Sequence, residues 1–304
     1  MSKFADDFRK SASFSDFQRD KNIKPIRRVK VIKDLSYGND RIFNLLDVYY
    51  PRNRKGKLPV IISVHGGGYV YGSKEVYFHY GLYLASKEFI VINFNYHLAP
   101  EKKFPTQLEE INQVLKWMVE NKDLYPFDIN NVFMVGDSAG AQMLSHYATI
   151  YSNKEFAKLF NFEVPEEVKI RAIGLNCGRY EMASAYPNHT PKVNLNHFER
   201  ESTELMDCYL GKNREDIYEM TQAVDNINSN FPPSFILTSY YDFLKEDAKP
   251  MYDHLTSLGV ECEYHLYGDE STKYMTHVFH VNMNLKEAKT ANDDETEFFK
   301  KHIG

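Results

Sequence analysis

Short apolar runs rich in β-branched residues alternate with longer helical stretches from about Arg28 to the C-terminus. From Pro59 onward the runs are nearly continuously apolar, as expected of parallel strands covered on both faces. The pattern predicts a mainly parallel α/β sheet, entered through one or two antiparallel strands. The predicted strands are Val29–Ile32, Phe43–Tyr50, Pro59–Val64, Phe89–Tyr96, Val132–Val135, Val168–Leu175, Ser234–Ser239 and Glu261–Tyr267. The predicted helices are Ser73–Lys87, Pro105–Asn121, Ala139–Tyr151, Lys245–Leu258 and Leu285–His302.

Two segments fall outside this alternation. Residues 1 to about 25 mix charged residues with Phe and predict one or two short helices. Residues from about 178 to 231 form a long insertion after the sixth predicted strand. Because that strand should end beside the site, we expect the insertion to be a lid or binding element rather than an idle surface excursion. Eight strands at this spacing predict a single domain over residues 1–304.

Composition excludes several classes of protein. Acidic residues outnumber basic ones by 42 to 37, which excludes a generally basic nucleic-acid-coating protein. A hydrophobic fraction of 43% is too high for a disordered chain. Cys177, Cys208 and Cys262 are odd in number and lack CxxC spacing, so we expect no disulfide framework, no structural zinc and a cytoplasmic location. The chain has no apolar run of membrane-span length, and its charged N-terminus does not resemble a secretory signal.

The most specific motif is Gly136-Asp137-Ser138-Ala139-Gly140, between an apolar strand and a helical run. A GxSxG sequence in this context predicts a nucleophile elbow, in which a strained turn projects the serine above the sheet. The flanking glycines allow the strand and the helix to approach closely. A plain strand-to-helix turn is the alternative, and the surrounding pattern argues against it.

A second motif, His65-Gly66-Gly67-Gly68-Tyr69, directly follows the strand at Pro59–Val64. Successive glycines permit a tight loop whose backbone N–H groups point into a cavity, and such groups stabilise an oxyanion. We predict that Gly67, Gly68 and Ala139 supply these donors. The spacing matches neither common phosphate-binding glycine loop.

A serine nucleophile needs a base, and the base needs an orienting acid, in the chain order Ser, acid, His on this type of sheet. Asp242 ends the strand SFILTSYY, whereas Asp247 suits the start of the next helix, so we predict Asp242 as the acid. His277 and His280 both follow the last strand. We predict His277 as the base because it lies closer to the strand, and we expect His280 to lie in the last helical region with local hydrogen bonds.

Together, HGGGYVYG, YHLAPEKKFP, GDSAG, a D-x-L after the next-to-last strand and a late H-x-F resemble the hormone-sensitive-lipase group of α/β-hydrolase esterases. The resemblance runs from about Arg28 to Gly304. It implies an α/β-hydrolase fold, cofactor-free serine carboxylesterase activity, and a cap formed by residues 1–25 and 178–231. His97 stands where the family usually has an Arg that forms an ion pair with a Glu, which puts that network in doubt.

The sequence therefore predicts a serine esterase that acts on small esters, with no metal or cofactor and no nucleic-acid or membrane partner. An amidase or peptidase with the same triad, or a non-catalytic member of the fold, is the alternative. Tyr69, Tyr71, Tyr186 and Met206 are predicted to line an apolar substrate pocket with polar tips. The last strand should lie at a sheet edge, which is compatible with a homodimer.

Overall fold

The structure is a computed structural model that describes residues 2–180 and 197–304. Its strands are β1 Val29–Ser36, β2 Leu45–Pro51, β3 Leu58–Val64, β4 Ile90–Phe94, β5 Phe127–Asp137, β6 Ile170–Asn176, β7 Ser234–Ser239 and β8 Cys262–Tyr267. Its helices are α1 Lys3–Asp20, α2 Phe78–Ala85, α3 Thr106–Glu120, α4 Ala139–Ser152, α5 Lys154–Ala157, α6 His197–Leu210, α7 Lys245–Ser257 and α8 Lys286–Lys301.

All eight strands join one sheet in the order β1-β2-β4-β3-β5-β6-β7-β8. Strand β2 runs antiparallel to both β1 and β4, and the remaining neighbours are parallel. The predicted α/β-hydrolase sheet is therefore confirmed. The main difference is β5, which was expected at Val132–Val135 and begins at Phe127. Its first half, Phe127–Asn131, contains Asp and Asn, which are rare in strands and hide the element from a search for apolar runs.

Side chains of the central strands alternate between two buried layers. Val60, Ile62 and Val64 of β3 pack on the side of α3 and α4, whereas Ile61 packs on the side of α2 and α8. Burial on both faces explains the continuously apolar sequence of these strands. None of the helices in the described ranges is long and apolar enough to cross a membrane.

The two segments outside the alternation both contribute helices. The N-terminal segment was expected to form one or two short helices, and it forms one helix of 18 residues, α1. The Ser2 hydroxyl caps this helix by accepting a hydrogen bond from the Ala5 N–H. The described part of the insertion contains α6, which packs against α1, followed by short 3₁₀ turns between residues 215 and 226. The two helices therefore lie next to each other, although six strands separate them along the chain.

Candidate active site

Ser138 occupies a sharp turn between β5 and α4. Its backbone angles, φ 52° and ψ −119°, are strained for a residue with a side chain and cost on the order of 1–3 kcal/mol. The two flanking glycines make the turn possible. A Cβ at Gly136 would lie 2.6 Å from the Gly140 carbonyl oxygen, and one at Gly140 would lie 2.2 Å from the Val64 carbonyl oxygen. The GxSxG sequence is thus required by close backbone packing on both sides of the serine.

The structure brings the three predicted triad side chains together. His277 lies in the loop after β8, and its Nε2 is 2.9 Å from Ser138 Oγ. Its Nδ1 is 2.7 Å from Oδ1 of Asp242, which follows β7. In this arrangement the Nδ1–H donates to the carboxylate, and Nε2 is free to accept the serine proton.

Asp242 is held by several donors in a buried position. Its side chain has no exposed surface, Oδ2 accepts from the Thr238 hydroxyl at 3.1 Å, and Oδ1 accepts from the Leu244 N–H at 2.8 Å. Burial acts to raise the pKa of Asp242, but His277 and the Cys177 thiol favour the ionised form, and the net pKa is lowered. The acid is therefore ionised when it orients the imidazole. The alternative acid, Asp247, forms an ion pair with Arg179.

The glycine loop after β3 borders the same cleft as Ser138. Gly67 has φ 112° and Gly68 has φ 58°, which are values that favour glycine. A Cβ at Gly67 would lie 2.2 Å from the Tyr71 carbonyl oxygen, so the loop closes tightly on itself. Ala139 is the first residue of α4, where backbone N–H groups have no partner within the helix. The three predicted oxyanion donors therefore line the same cleft as the serine.

Buried side chains fix the glycine loop to the strand that carries the nucleophile. The Tyr77 hydroxyl donates to Oδ2 of Asp137 at 2.7 Å and accepts from the Gly66 N–H at 3.0 Å. Burial raises the pKa of Asp137 to about 6. The His65 ring stacks on Tyr96 with centroids 4.0 Å apart, and burial lowers its pKa to about 4. His65 is therefore a neutral, structural residue whose Nδ1–H donates to the Gly66 carbonyl oxygen at 2.8 Å.

The cleft has a volume of about 350 Å³, and helices α1 and α6 form its outer walls. Tyr69, Tyr71 and Met206 of the predicted pocket line it, whereas Tyr186 lies outside the described residues. Tyr69 forms part of the buried wall of the cleft and offers little surface to a substrate. It is 5% exposed and stacks on Tyr209 with ring centroids 3.8 Å apart. Leu205 of α6 lies over Gly68, within contact distance of a Cβ placed there.

Sequence reasoning missed the arginine that fixes the first half of α1. Arg9 Nε donates to the Val70 carbonyl oxygen at 2.7 Å, and its Nη2 lies 2.6 Å from Glu101. Glu101 thus receives an arginine from the N-terminal helix instead of from position 97. His97 itself bonds to Glu110 through Nδ1 at 2.5 Å. Glu101 therefore still forms an ion pair, although position 97 is not an arginine. Its partner, Arg9, is 92 positions away in the sequence, and no local motif reveals it.

A second arginine fixes the other end of α1. Arg19 pairs with Asp16 at 2.8 Å, and its Nη2 donates to the Val76 carbonyl oxygen at 3.0 Å. The Tyr71 hydroxyl donates to Asp16 Oδ2 at 2.8 Å. Burial raises the pKa of Asp16, and the positive charge of Arg19 lowers it by a smaller amount, so the net pKa is raised. The wall formed by α1 is therefore bonded at both ends to the segment that follows the glycine loop.

The sequence indicated no role for Phe243, and it predicted the wrong surroundings for His280. Phe243 is 59% exposed, lines the cleft, and has its ring centroid 4.2 Å from that of His277. The expectation for His280 was wrong, because it lies in the 3₁₀ turn Phe279–Val281 and neither ring nitrogen has a hydrogen-bond partner among the described residues. Its ring packs against Tyr80, and burial lowers its pKa to about 3, so it is neutral.

Among the residues that the structure describes, one group of side chains comes close enough to share a metal ion. It consists of Cys177, Asp242 and His277, whose ligand atoms lie within 4.8 Å of one another. The imidazole and carboxylate of this group already bond to each other, and the imidazole bonds to Ser138. These contacts suit acid–base chemistry at a serine.

Comparison with known proteins places this geometry in a family. The BD-FAE family matches residues 46–246, which include the glycine loop, the serine turn and Asp242. The chain belongs to this family of α/β-hydrolase esterases. The family predicted from the sequence motifs is thereby confirmed at the level of α/β-hydrolase esterases.

This chain is similar to two curated relatives and to one protein of solved structure. A protein of Acanthamoeba polyphaga mimivirus, named as an α/β hydrolase, is 28% identical over 73% of this chain and 62% of its own length. The versiconal hemiacetal acetate esterase of Dothistroma septosporum is 24% identical over 80% of this chain and 73% of its own. Esterase B of Lactobacillus rhamnosis, in a crystal structure with a tributyrin phosphonate, is 22% identical with a TM-score of 0.85, and the match covers 98% and 93% of the two chains. The chain thus spans about three fifths of the mimivirus protein, and the structural match confirms the fold.

Proposed function

We propose that this protein is a serine carboxylesterase that hydrolyses small esters through an acyl-enzyme. The observation that carries the proposal is the continuous hydrogen-bonded series Ser138–His277–Asp242 at the floor of a cleft that also contains the glycine loop. Membership of an esterase family supports it.

The proposed reaction uses only the side chains and backbone of the cleft. Ser138 Oγ attacks the ester carbonyl carbon while its proton passes to Nε2 of His277, and Asp242 stabilises the resulting imidazolium. The carbonyl oxygen becomes an oxyanion, which the N–H groups of Gly67, Gly68 and Ala139 stabilise. The imidazolium returns its proton to the departing alcohol. Water, deprotonated by the same imidazole, then attacks the acyl-enzyme and releases the acid and Ser138.

We propose small acyl groups as substrates because the cleft holds about 350 Å³ and helices form both of its outer walls. The names of two relatives agree, since one is an acetate esterase and the other is seen with a tributyrin phosphonate. Helices α1 and α6 would act as the cap that selects the acyl group. Cytoplasmic location and association of two copies along β8 stay predictions.

The decisive experiment compares the wild type with the Ser138→Ala variant on p-nitrophenyl esters of increasing acyl length and on a matched p-nitroanilide. We expect hydrolysis of the short esters, little of the amide, and a loss on the order of 10⁴-fold or more in the variant. A fluorophosphonate probe should label the wild type alone. A Ser138→Ala protein that keeps a tenth of the activity, or a wild type that the probe leaves unlabelled, would contradict the proposal.

A Met206→Ala variant tests the role of the cap. Met206 lies in α6, is 7% exposed and lines the cleft. Shortening it should shift the preferred acyl length and change KM more than kcat. A uniform loss over all acyl lengths would indicate that α6 supports the sheet instead.

A further inference from the structure

A carboxyl group lies buried beneath the nucleophile, and the proposed reaction does not use it. Glu295 of α8 has no exposed surface, and the described groups that act on its carboxyl are Asn176, Tyr80 and Asp137, none of which is a cation. The backbone makes room for this acid, because a Cβ at Gly174 of β6 would lie 1.9 Å from Glu295 Oε1. Since burying an acid without a cation is costly, its two hydrogen bonds indicate what it does.

Both partners of Glu295 are donors from elements next to the serine turn. Oε1 accepts from Asn176 Nδ2 at 2.9 Å, and Oε2 accepts from the Tyr80 hydroxyl at 3.4 Å. Asn176 is the last residue of β6 and pairs with Asp137 of β5. Its backbone carbonyl oxygen accepts the N–H of Ser138 at 2.9 Å. A short series of bonds therefore runs from Glu295 through Asn176 to the backbone of the nucleophile.

We propose that Glu295 is a positioning residue of the esterase, which holds Asn176 and thereby the strained backbone of Ser138. A positive φ at a serine persists only when its surroundings fix it, and the Asn176 carbonyl is one of the groups that do so. Without Glu295, the Asn176 amide loses its partner in a dry interior, and the end of β6 can turn to find another. Ser138 Oγ would then leave its position opposite His277 Nε2.

The consequence differs from that of a residue that only fills space. Misplacing a nucleophile lowers the rate of the chemical step. The hydrogen-bond partners of Glu295 lie in β6 and α2, whereas the walls of the cleft are α1 and α6. We therefore expect kcat to fall while KM stays close to that of the wild type. If the role of Glu295 were purely structural, replacing it would lower the melting temperature and leave kcat per active site unchanged.

The experiment uses three variants of α8 in the full chain. Glu295→Leu keeps the volume and removes both hydrogen bonds, and Glu295→Gln keeps an acceptor for Asn176. Thr296→Val is the matched control, because Thr296 is equally buried and its hydroxyl bonds within its own helix, to the Asn292 and Asp293 carbonyl oxygens. Active sites are counted by titration with a fluorophosphonate, so that unfolded molecules do not contribute.

For Glu295→Leu we expect a loss of about tenfold or more in kcat per titrated site and in the phosphonylation rate, equivalent to about 1.4 kcal/mol, with KM within about twofold. Glu295→Gln should stay within about threefold of the wild type and Thr296→Val within about twofold. The proposal is overturned if Glu295→Leu keeps the wild-type kcat, or if Thr296→Val loses as much as Glu295→Leu.

An Asn176→Ala variant tests the same link from the strand side and serves if Glu295→Leu does not fold. We expect a similar loss of kcat per titrated site, and a folded variant with the wild-type kcat would overturn the proposal. The inference rests on the proposed function, but the two fail differently. If the wild type neither hydrolyses esters nor reacts with the phosphonate, the proposed function is wrong, whereas an active wild type with a fully active Glu295→Leu contradicts only the positioning role.

Discussion

Replacing Glu295 with glutamine should remove a pH dependence from the stability of the fold. Burial raises the pKa of Glu295 to about 7, and the nearby charge of Asp137 acts in the same direction, against the donors Asn176 and Tyr80. An acid whose pKa is higher in the folded than in the unfolded state binds more protons when folded. The free energy of unfolding must therefore fall as the pH rises from about 4.5 through about 7.

The size of the effect follows from the two pKa values. The unfolded value of 4.5 and the folded value of about 7, at about 1.36 kcal/mol per pKa unit, give a loss of about 3 kcal/mol of stability across this range. Glutamine is close in shape and has no charge to desolvate. The Glu295→Gln variant should match the wild type near pH 4.5 and exceed it by about 3 kcal/mol at pH 8.5.

Urea denaturation at intervals from pH 4.5 to 8.5, analysed at constant m-value, measures this difference. Subtracting the two curves cancels the contributions of groups that do not interact with Glu295. Asp137 does interact with it, so a change in the titration of Asp137 belongs to the measured difference. Glu297→Gln is the control, because it makes the same chemical change in α8 at an exposed residue that pairs with Lys300. Wild-type and Glu295→Gln curves that stay parallel over the whole range would refute the reasoning.

Three further predictions concern activity. His277→Ala should lower kcat/KM on the order of 10⁴-fold, and His280→Ala by no more than about tenfold; the opposite order in folded proteins would contradict the triad assignment. Arg9→Ala should lower both the melting temperature and kcat/KM. Arg9→Lys should restore both values only in part, because lysine lacks the forked guanidinium that binds a carbonyl and a carboxylate together. Wild-type values in Arg9→Ala would show that α1 does not need this anchor. Phe243→Leu should lower kcat/KM for phenyl acetate three- to tenfold more than for propyl acetate, since an aryl leaving group loses a stacking partner worth about 0.5–1.5 kcal/mol; equal losses on both esters would exclude stacking.

Features encoded by neighbouring residues could be predicted from the sequence. The Gly136–Gly140 turn and the His65–Tyr69 loop each lie within five consecutive positions, and the buried strands give unbroken apolar runs. The proximity of Asp242 and His277 to Ser138 was also predictable, because chain order and the ends of predicted strands limit the choice to a few residues. Each of these signals is local or follows from the order of the elements.

Contacts between residues far apart in the sequence could not be predicted in this way. The pairing of Arg9 with Glu101 joins residues 92 positions apart, and the contact between Asn176 and Glu295 joins residues 119 positions apart. In the sequence, Glu295 is one of several acids in an amphipathic helix and looks like a solvated residue. Only the position of α8 against Gly174 of β6 shows that this one acid faces inward.

The strained residues of the chain also cluster at the site. Non-glycine residues with positive φ include Ser138, Tyr69 of the glycine loop, Cys177 after β6, and Val278 beside His277. A β-branched residue such as Val278 is a clear outlier at φ 54° and gains nothing locally from that conformation. Such strain is maintained only by surrounding contacts, and the buried Tyr77–Asp137 and Asn176–Glu295 bonds are contacts of this kind. The backbone strain therefore lies where Ser138, His277 and the glycine loop meet, and it lowers the stability of the fold there. The strained turn at Ser138 and the buried carboxyl of Glu295 beneath it are parts of one arrangement.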